Sequence, residues 1–276
     1  MTSLYQRSLL LVLALAVSPV LNGQQSSGAG AATGGPFTPS CSSPLYPSPP
    51  PAAALDIDGV CGITGSGGAE AAQNSAKNNY CATNAPEPIT IDQLQKLQVQ
   101  VENDQSINFG NKNTPARKKG PTTNRGPLQE MGEGKAVVLK GFVLKARPEG
   151  AESVNCGKNV AAGQVLHDIH IAIVADKSVT SECSGVVAEM SPHHRPDSWT
   201  AKNVEMVATA GAQVQVTGQL FFDSSHFPCE GGVTSAGNPS RISLWEVHPV
   251  YKFEVCDGNC DVDGTWMPLD QWLAKQ

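Results

Sequence analysis

The sequence predicts a mainly β protein: a small closed five-stranded barrel with a helix between its third and fourth strands. Three observations carry that expectation. Residues 135–255 read in order as three strands, a helix and two strands, and apolar residues recur at alternate positions. Gly141 falls where a short barrel strand must bend sharply. A helix placed between strands three and four would cover one end of the barrel, which is the OB arrangement.

What precedes the barrel is organised differently. Arg7 is followed by an apolar run from Leu9 to Leu21, broken at Ser18-Pro19. A basic start and so short a run predict a signal peptide over residues 1–23, cut before Gln24. An uncleaved anchor is the other reading of this segment. Residues 24–55 are rich in Gly, Ala, Ser and Pro and predict a disordered tether, because they lack apolar surface to offset chain entropy. Residues 56–133 predict a loop-rich, disulfide-stapled segment holding one amphipathic helix and a basic stretch. The helix is placed at Ile89–Asn103, where Thr90 and Gln93 fit a capping box and Leu94, Leu97 and Val101 form a narrow stripe.

No acid occurs between Gln105 and Gln129, while Lys112, Arg117, Lys118, Lys119 and Arg125 contribute five positive charges. Such a run suits an anionic ligand or an envelope component: a phosphate backbone, an acidic polysaccharide or a lipid head group. Pro115, Gly120, Pro121, Gly126 and Pro127 favour a plain solvated loop instead.

Within the barrel, residues 134–256, the first strand is expected at Ala136–Arg147 and the second at Val165–Ala175. In the second, Ile169, Ile171 and Ile173 alternate with Asp168, His170 and Ala172, as in a half-buried strand. Gly185–Met190 forms the short third strand, and a helix from Asp197 or Ser198 runs to Ala208. Gln213–Asp223 and Arg241–Val255 complete the set. Residues 257–276 predict a disulfide-closed turn and a short helix.

A net charge of −6 and an aromatic content of 5% argue against a protein that coats nucleic acid. All eight cysteines lie beyond the signal segment, an even count that predicts disulfides in an oxidising compartment. The expected local pairs are Cys61 with Cys81 and Cys156 with Cys183. No paired CxxC set suggests a structural zinc site.

Three acid–histidine groupings stand out: Asp168 with His170, Asp223 with His226, and Glu246 with His248. Their convergence is not expected, because two strand spacings span about 9.5 Å and outward side chains splay apart. Pairing the last two strands from their connecting loop also sets Asp223 about 16 Å of strand rise from Glu246. The hairpin of strands two and three is a better candidate. There His167, Asp168 and His170 would meet His193 and His194, with His248 joining from the side. Imidazole and carboxylate ligands at this density suit a divalent transition metal such as zinc, copper, nickel or ferrous iron. The competing reading is a polar face whose histidines bond locally.

Asn259-Cys260-Asp261-Val262-Asp263-Gly264-Thr265, with Asp270 at the twelfth place, loosely resembles a calcium loop. Asn at the first place, Pro268 within it and a preceding strand favour a disulfide-closed turn. The chain has no GxSxG elbow, Walker loop or dinucleotide fingerprint.

The phrases His167-Asp168-Ile169-His170 and Trp245-Glu246-Val247-His248-Pro249 resemble those of exported bacterial proteins of unknown function with an OB-like domain. That resemblance implies the barrel and export but assigns no residue a role. The functional expectation is a secreted or periplasmic binding or envelope-associated module. The alternatives are a metal-dependent hydrolase using the His/Asp hairpin cluster and a scaffold presenting the basic arm.

Overall fold

The computed structural model describes residues 76–82, 84–104, 107, 125–150, 167–193, 195–229 and 239–276. Seven strands are described: β1 (Glu87–Ile89), β2 (Ala136–Pro148), β3 (Ile169–Val174), β4 (Val186–Met190), β5 (Gln213–Phe222), β6 (Trp245–Asp257) and β7 (Thr265–Pro268). Four helices accompany them: α1 (Ile91–Asn103), α2 (Gly126–Glu130), α3 (Ala201–Ala210) and α4 (Leu269–Leu273).

Five strands close a barrel in the order β2-β3-β4-β6-β5, and β5 returns to β2. Strand β2 makes closure possible by serving two neighbours. Its first half, Ala136–Phe142, pairs with β5, and its second half, from Phe142 to Pro148, pairs with β3. The bend sits at Gly141, where a Cβ would lie 2.6 Å from the Val174 carbonyl oxygen. Only glycine tolerates that approach. Strand β4 joins β6 in parallel at Ala188 opposite Val247, the link that carries the sheet round. The expected barrel, with its helix between the third and fourth barrel strands, is what the chain forms.

Period-two alternation fills the interior. Ile169, Ile171 and Ile173 of β3 meet Val186, Ala188 and Met190 of β4 and Val214, Val216, Leu220 and Phe222 of β5. Helix α3 packs Val204 and Val207 into the same core. It starts at Ala201 and not at 197 or 198, because the Thr200 side chain accepts the Asn203 amide and caps it there. Gly211, at φ 61, ends it. Helix α1 has the expected capping box, with the Thr90 hydroxyl accepting from the Gln93 amide. Leu94 and Val101 are buried, and Gln98 reaches across to accept the Leu244 amide at 2.9 Å.

Sequence reading missed three short elements. β1 adds to β2 in parallel, β7 pairs with β6, and α2 precedes β2. Arg125 at the start of α2 is not part of an exposed basic arm. It is buried, donates to both carboxylate oxygens of Glu133 and to the Phe222 carbonyl, and lies 4.7 Å from the Phe221 ring centre. Lys112, Arg117, Lys118 and Lys119 lie outside the described residues.

Cys183 pairs with Cys229, not with Cys156. The amide of Ile242 donates to the Gly185 carbonyl and that of Cys229 to the Arg241 carbonyl, which lays residue 229 beside residue 183. Cys156 is outside the described residues. Cys81 is disulfide-bonded, but its expected partner Cys61 also falls outside them. Cys256–Cys260 closes the C-terminal turn. In that turn the Asn259 carbonyl accepts the amides of Val262, Asp263 and Gly264, while Asp270 belongs to the first turn of α4.

Candidate functional site

The strands that send apolar side chains into the barrel send charged ones to its outer face. Asp168 and His170 stand beside β3's isoleucines, Glu189 beside Ala188 and Met190, and Glu246 and His248 beside Trp245 and Val247. This follows from alternation alone. The burial does not: Asp168, Glu189, Asp223, Glu246 and His248 are fully buried, and His170 nearly so. Residues 76–82 lie over this face and are themselves buried. Tyr80 donates to the His193 carbonyl at 2.6 Å, and Tyr251 to the Asn79 carbonyl at 2.7 Å. Gln219 donates to the carbonyls of both Ala76 and His248.

Two registers differ from expectation, and both matter here. His170 faces Glu189, not Met190, a one-residue shift in the β3–β4 hairpin. That shift brings in a carboxylate the sequence had left out. Strand β6 begins to pair at Trp245, which lies opposite Phe222, so Glu246 faces Phe221. Residues 240–244 are not in the ladder, and Asp223 therefore lies close to Glu246 instead of five residues away. Convergence of acid–histidine groupings, argued against on strand spacing, occurs by the other way round the barrel. The route from β3 to β5 through β4 and β6 lets their side chains share one covered patch.

The contacts form a connected network. His170 Nδ1 lies 3.2 Å from Glu149 Oε2, and its Nε2 lies 3.2 Å from Glu189 Oε1. His248 Nδ1 lies 2.7 Å from Glu189 Oε2 and 3.2 Å from Glu246 Oε1. Arg241 Nη1 donates to Glu246 Oε2 at 2.7 Å. His226 Nε2 approaches Asp223 Oδ2 at 3.3 Å, with about a quarter of the His226 side chain exposed. Lys77 Nζ, from the covering segment, is 3.6 Å from Glu189 and 3.8 Å from Asp223.

These environments push the groups apart. Burial opposes the charged form of Glu189, but His170, Lys77 and His248 outweigh it and hold the carboxyl well below its ordinary range. Burial also disfavours charge on His248, yet Glu189 and its hydrogen bonds lift the imidazole to about 9. Glu246 goes the other way, raised to about 7 by burial and by Glu189 and Asp223. Desolvation lowers His226 against the pull of Asp223.

Among the described residues, ligand geometry selects two overlapping triads. Asp168, Glu189 and His248 offer donor atoms all within 4.8 Å of one another, and so do Glu189, Asp223 and Glu246. The second triad already has Arg241 bonded to Glu246 and within 3.9 Å of Glu189 and Asp223. In the first, His248 Nε2 makes no hydrogen bond and faces Asp168 Oδ2 at 3.9 Å. Two donors so placed can both reach a metal set between them, at about 2.0–2.2 Å from each.

Of the residues expected as ligands, the structure brings Asp168, His170 and His248 into one cluster. His167 is half-buried and turns its Nδ1 to the Glu149 carbonyl. His193 is buried next to the cover, in neither triad. His194 lies outside the described residues. Comparisons with protein-family models, curated proteins and solved structures find no match. The resemblance to exported OB-like proteins is therefore supported only by the closed barrel itself. Among the described residues no helix is long and apolar enough to cross a membrane.

Proposed function

We propose that this protein is an exported metal-binding module whose barrel holds one divalent ion on its covered outer face, between Asp168, Glu189 and His248. The observation that carries the reading is the bare Nε2 of the fully buried His248, aimed at Asp168. An imidazole nitrogen left without a hydrogen bond in a dry site costs stability, and a metal ion removes that cost. Its other nitrogen bonds to Glu246 at 3.2 Å, the kind of carboxylate support that orients metal-bound histidines.

Charge points the same way. Five carboxylates meet in the network (Asp168, Glu149, Glu189, Asp223 and Glu246) against the permanent cations Lys77, Arg195 and Arg241. Without an ion, the raised Glu246 and the His248 imidazolium take up that difference, and a divalent metal would do so in place of their protons. One imidazole and two carboxylates suit zinc, manganese or ferrous iron. Disulfides at Cys183–Cys229 and Cys256–Cys260 support an oxidising, extracytoplasmic setting.

Hydrolysis at this ion would need an open coordination position, and residues 76–82 close the face. Binding is therefore the reading the geometry favours. Cobalt(II) loading tests it. The loaded protein is expected to show d–d absorption that Asp168→Asn and His248→Gln both abolish while their circular dichroism stays native. Cobalt spectra unchanged in both variants would overturn the assignment.

A further inference from the structure

We infer that residues 76–82 act as a strap whose Lys77 is a tethered cation competing with the incoming metal ion for Glu189. The inference rests on the metal reading above and adds a control to it. All seven strap residues are buried, yet the segment makes its own turn, with the Asn79 amide donating to the Ala76 carbonyl. Among the described contacts, those that fasten it to the barrel are mostly made by side chains. Gln219 accepts from Asn79 and donates to Ala76, Ser191 donates to Asn78 Oδ1 at 2.7 Å, and Tyr251 donates to the Asn79 carbonyl. Cys81 is also disulfide-bonded, so the segment stays tethered, but these hydrogen bonds can release without breaking a strand pairing of the barrel.

Lys77 is the strap's charged contact with the acid patch. Its ammonium stands 3.6 Å from Glu189 Oε2, the oxygen that also faces His248 Nδ1. It stands 3.8 Å from Asp223 Oδ2. Both distances are ion pairs beyond hydrogen-bond length. Arg241 differs, because its fork is fixed on Glu246 at 2.7 Å. Lysine is a point charge on a flexible four-carbon stem, so it can withdraw from Glu189 without dismantling the site. A divalent ion ligated by Glu189 and an ammonium beside the same oxygen repel strongly where water is excluded. Occupancy by the ion therefore favours withdrawal of Lys77 and loosening of the strap. By reciprocity, a docked strap weakens the ion's binding.

The test uses the full oxidised chain and zinc alone. Zinc affinity is measured for wild type, Lys77→Met and Lys77→Arg, and amide exchange across 76–82 is followed in wild type with and without zinc. Expected results are affinity about tenfold or more tighter in Lys77→Met, little change in Lys77→Arg, and faster strap exchange on zinc binding with β3 unaffected. Equal affinities in Lys77→Met and Lys77→Arg, or strap protection unchanged by zinc, would overturn the competition while leaving the metal site standing. Zinc bound by none of the three proteins would overturn both. Wild-type exchange is decisive even if Lys77→Met fails to fold.

Discussion

The two faces of the barrel strands are equally dry and chemically opposite. On β3, Ile169, Ile171 and Ile173 enter a hydrocarbon core, while His170 enters a network of carboxylates and cations under residues 76–82. Strand β6 repeats the contrast, with Trp245 and Val247 inward and Glu246 and His248 outward. Burial stabilises the first face directly. On the second it is a cost, offset only by exact partnering of charges, and a buried ion pair is weak grounds for stability. On the metal reading, the bound ion offsets part of that cost. That difference can be broken or sharpened experimentally.

The largest effect is expected from removing Glu189, which touches His170, His248 and Lys77 at once. Glu189→Ala should cost about 3–5 kcal/mol in chemical denaturation, because it strands buried cations. Arg125→Ala should cost a similar amount by stranding Glu133, but without any change in metal binding. A loss below about 1 kcal/mol for Glu189→Ala would show that the network is solvated after all.

Ile171→Ala tests the other face. It should cost about 2–5 kcal/mol through lost burial and a residual cavity. The loss should be the same with and without metal, whereas a metal-dependent loss would mean the two faces are coupled through β3.

Acidity sharpens the comparison further. His248 is raised from 6.5 to about 9 in the folded state, so its contribution is fully present below about pH 6.5. That contribution fades as pH rises through 9. Metal-free protein should therefore lose thermal stability between pH 7 and 9. Metal needs the neutral imidazole, so the stabilisation it adds should grow over the same interval. A metal-induced rise in Tm that shrinks toward pH 9 would contradict His248 as a ligand. The smallest effect belongs to the α1 cap, where Thr90→Ala should cost about 1 kcal/mol with no effect on the site.

The hydrocarbon face was legible from sequence because alternation is local. Ile169, Ile171 and Ile173 announce one side of a strand, and Asp168 and His170 the other. Gly141 was readable for the same reason, since a bend needs only one residue. The charged face depends on register between strands, and a one-residue error in the β3–β4 hairpin exchanged Met190 for Glu189. Strand β6 misled in its start, because Arg241–Leu244 read as strand but pair with nothing in the ladder. Glu246–His248 carried a signal that could have led to Glu189, as acids flanking a strand histidine on a covered face are expensive without a common purpose. Lys77 carried none. It sits in a Gly- and Asn-rich stretch, and tertiary contacts such as those of Asn78, Asn79 and Tyr80 lay it on the barrel. Arg125 failed likewise, since the run of basic residues before it hid a partner eight positions on.

Calorimetric titration of the oxidised full chain with zinc, then manganese, tests the central claim most directly. The account predicts one ion bound per chain in the wild type. It predicts none in His248→Gln, with the cooperative unfolding of that variant retained. Absence of binding by the wild type to either ion, or undiminished binding by His248→Gln, would contradict it.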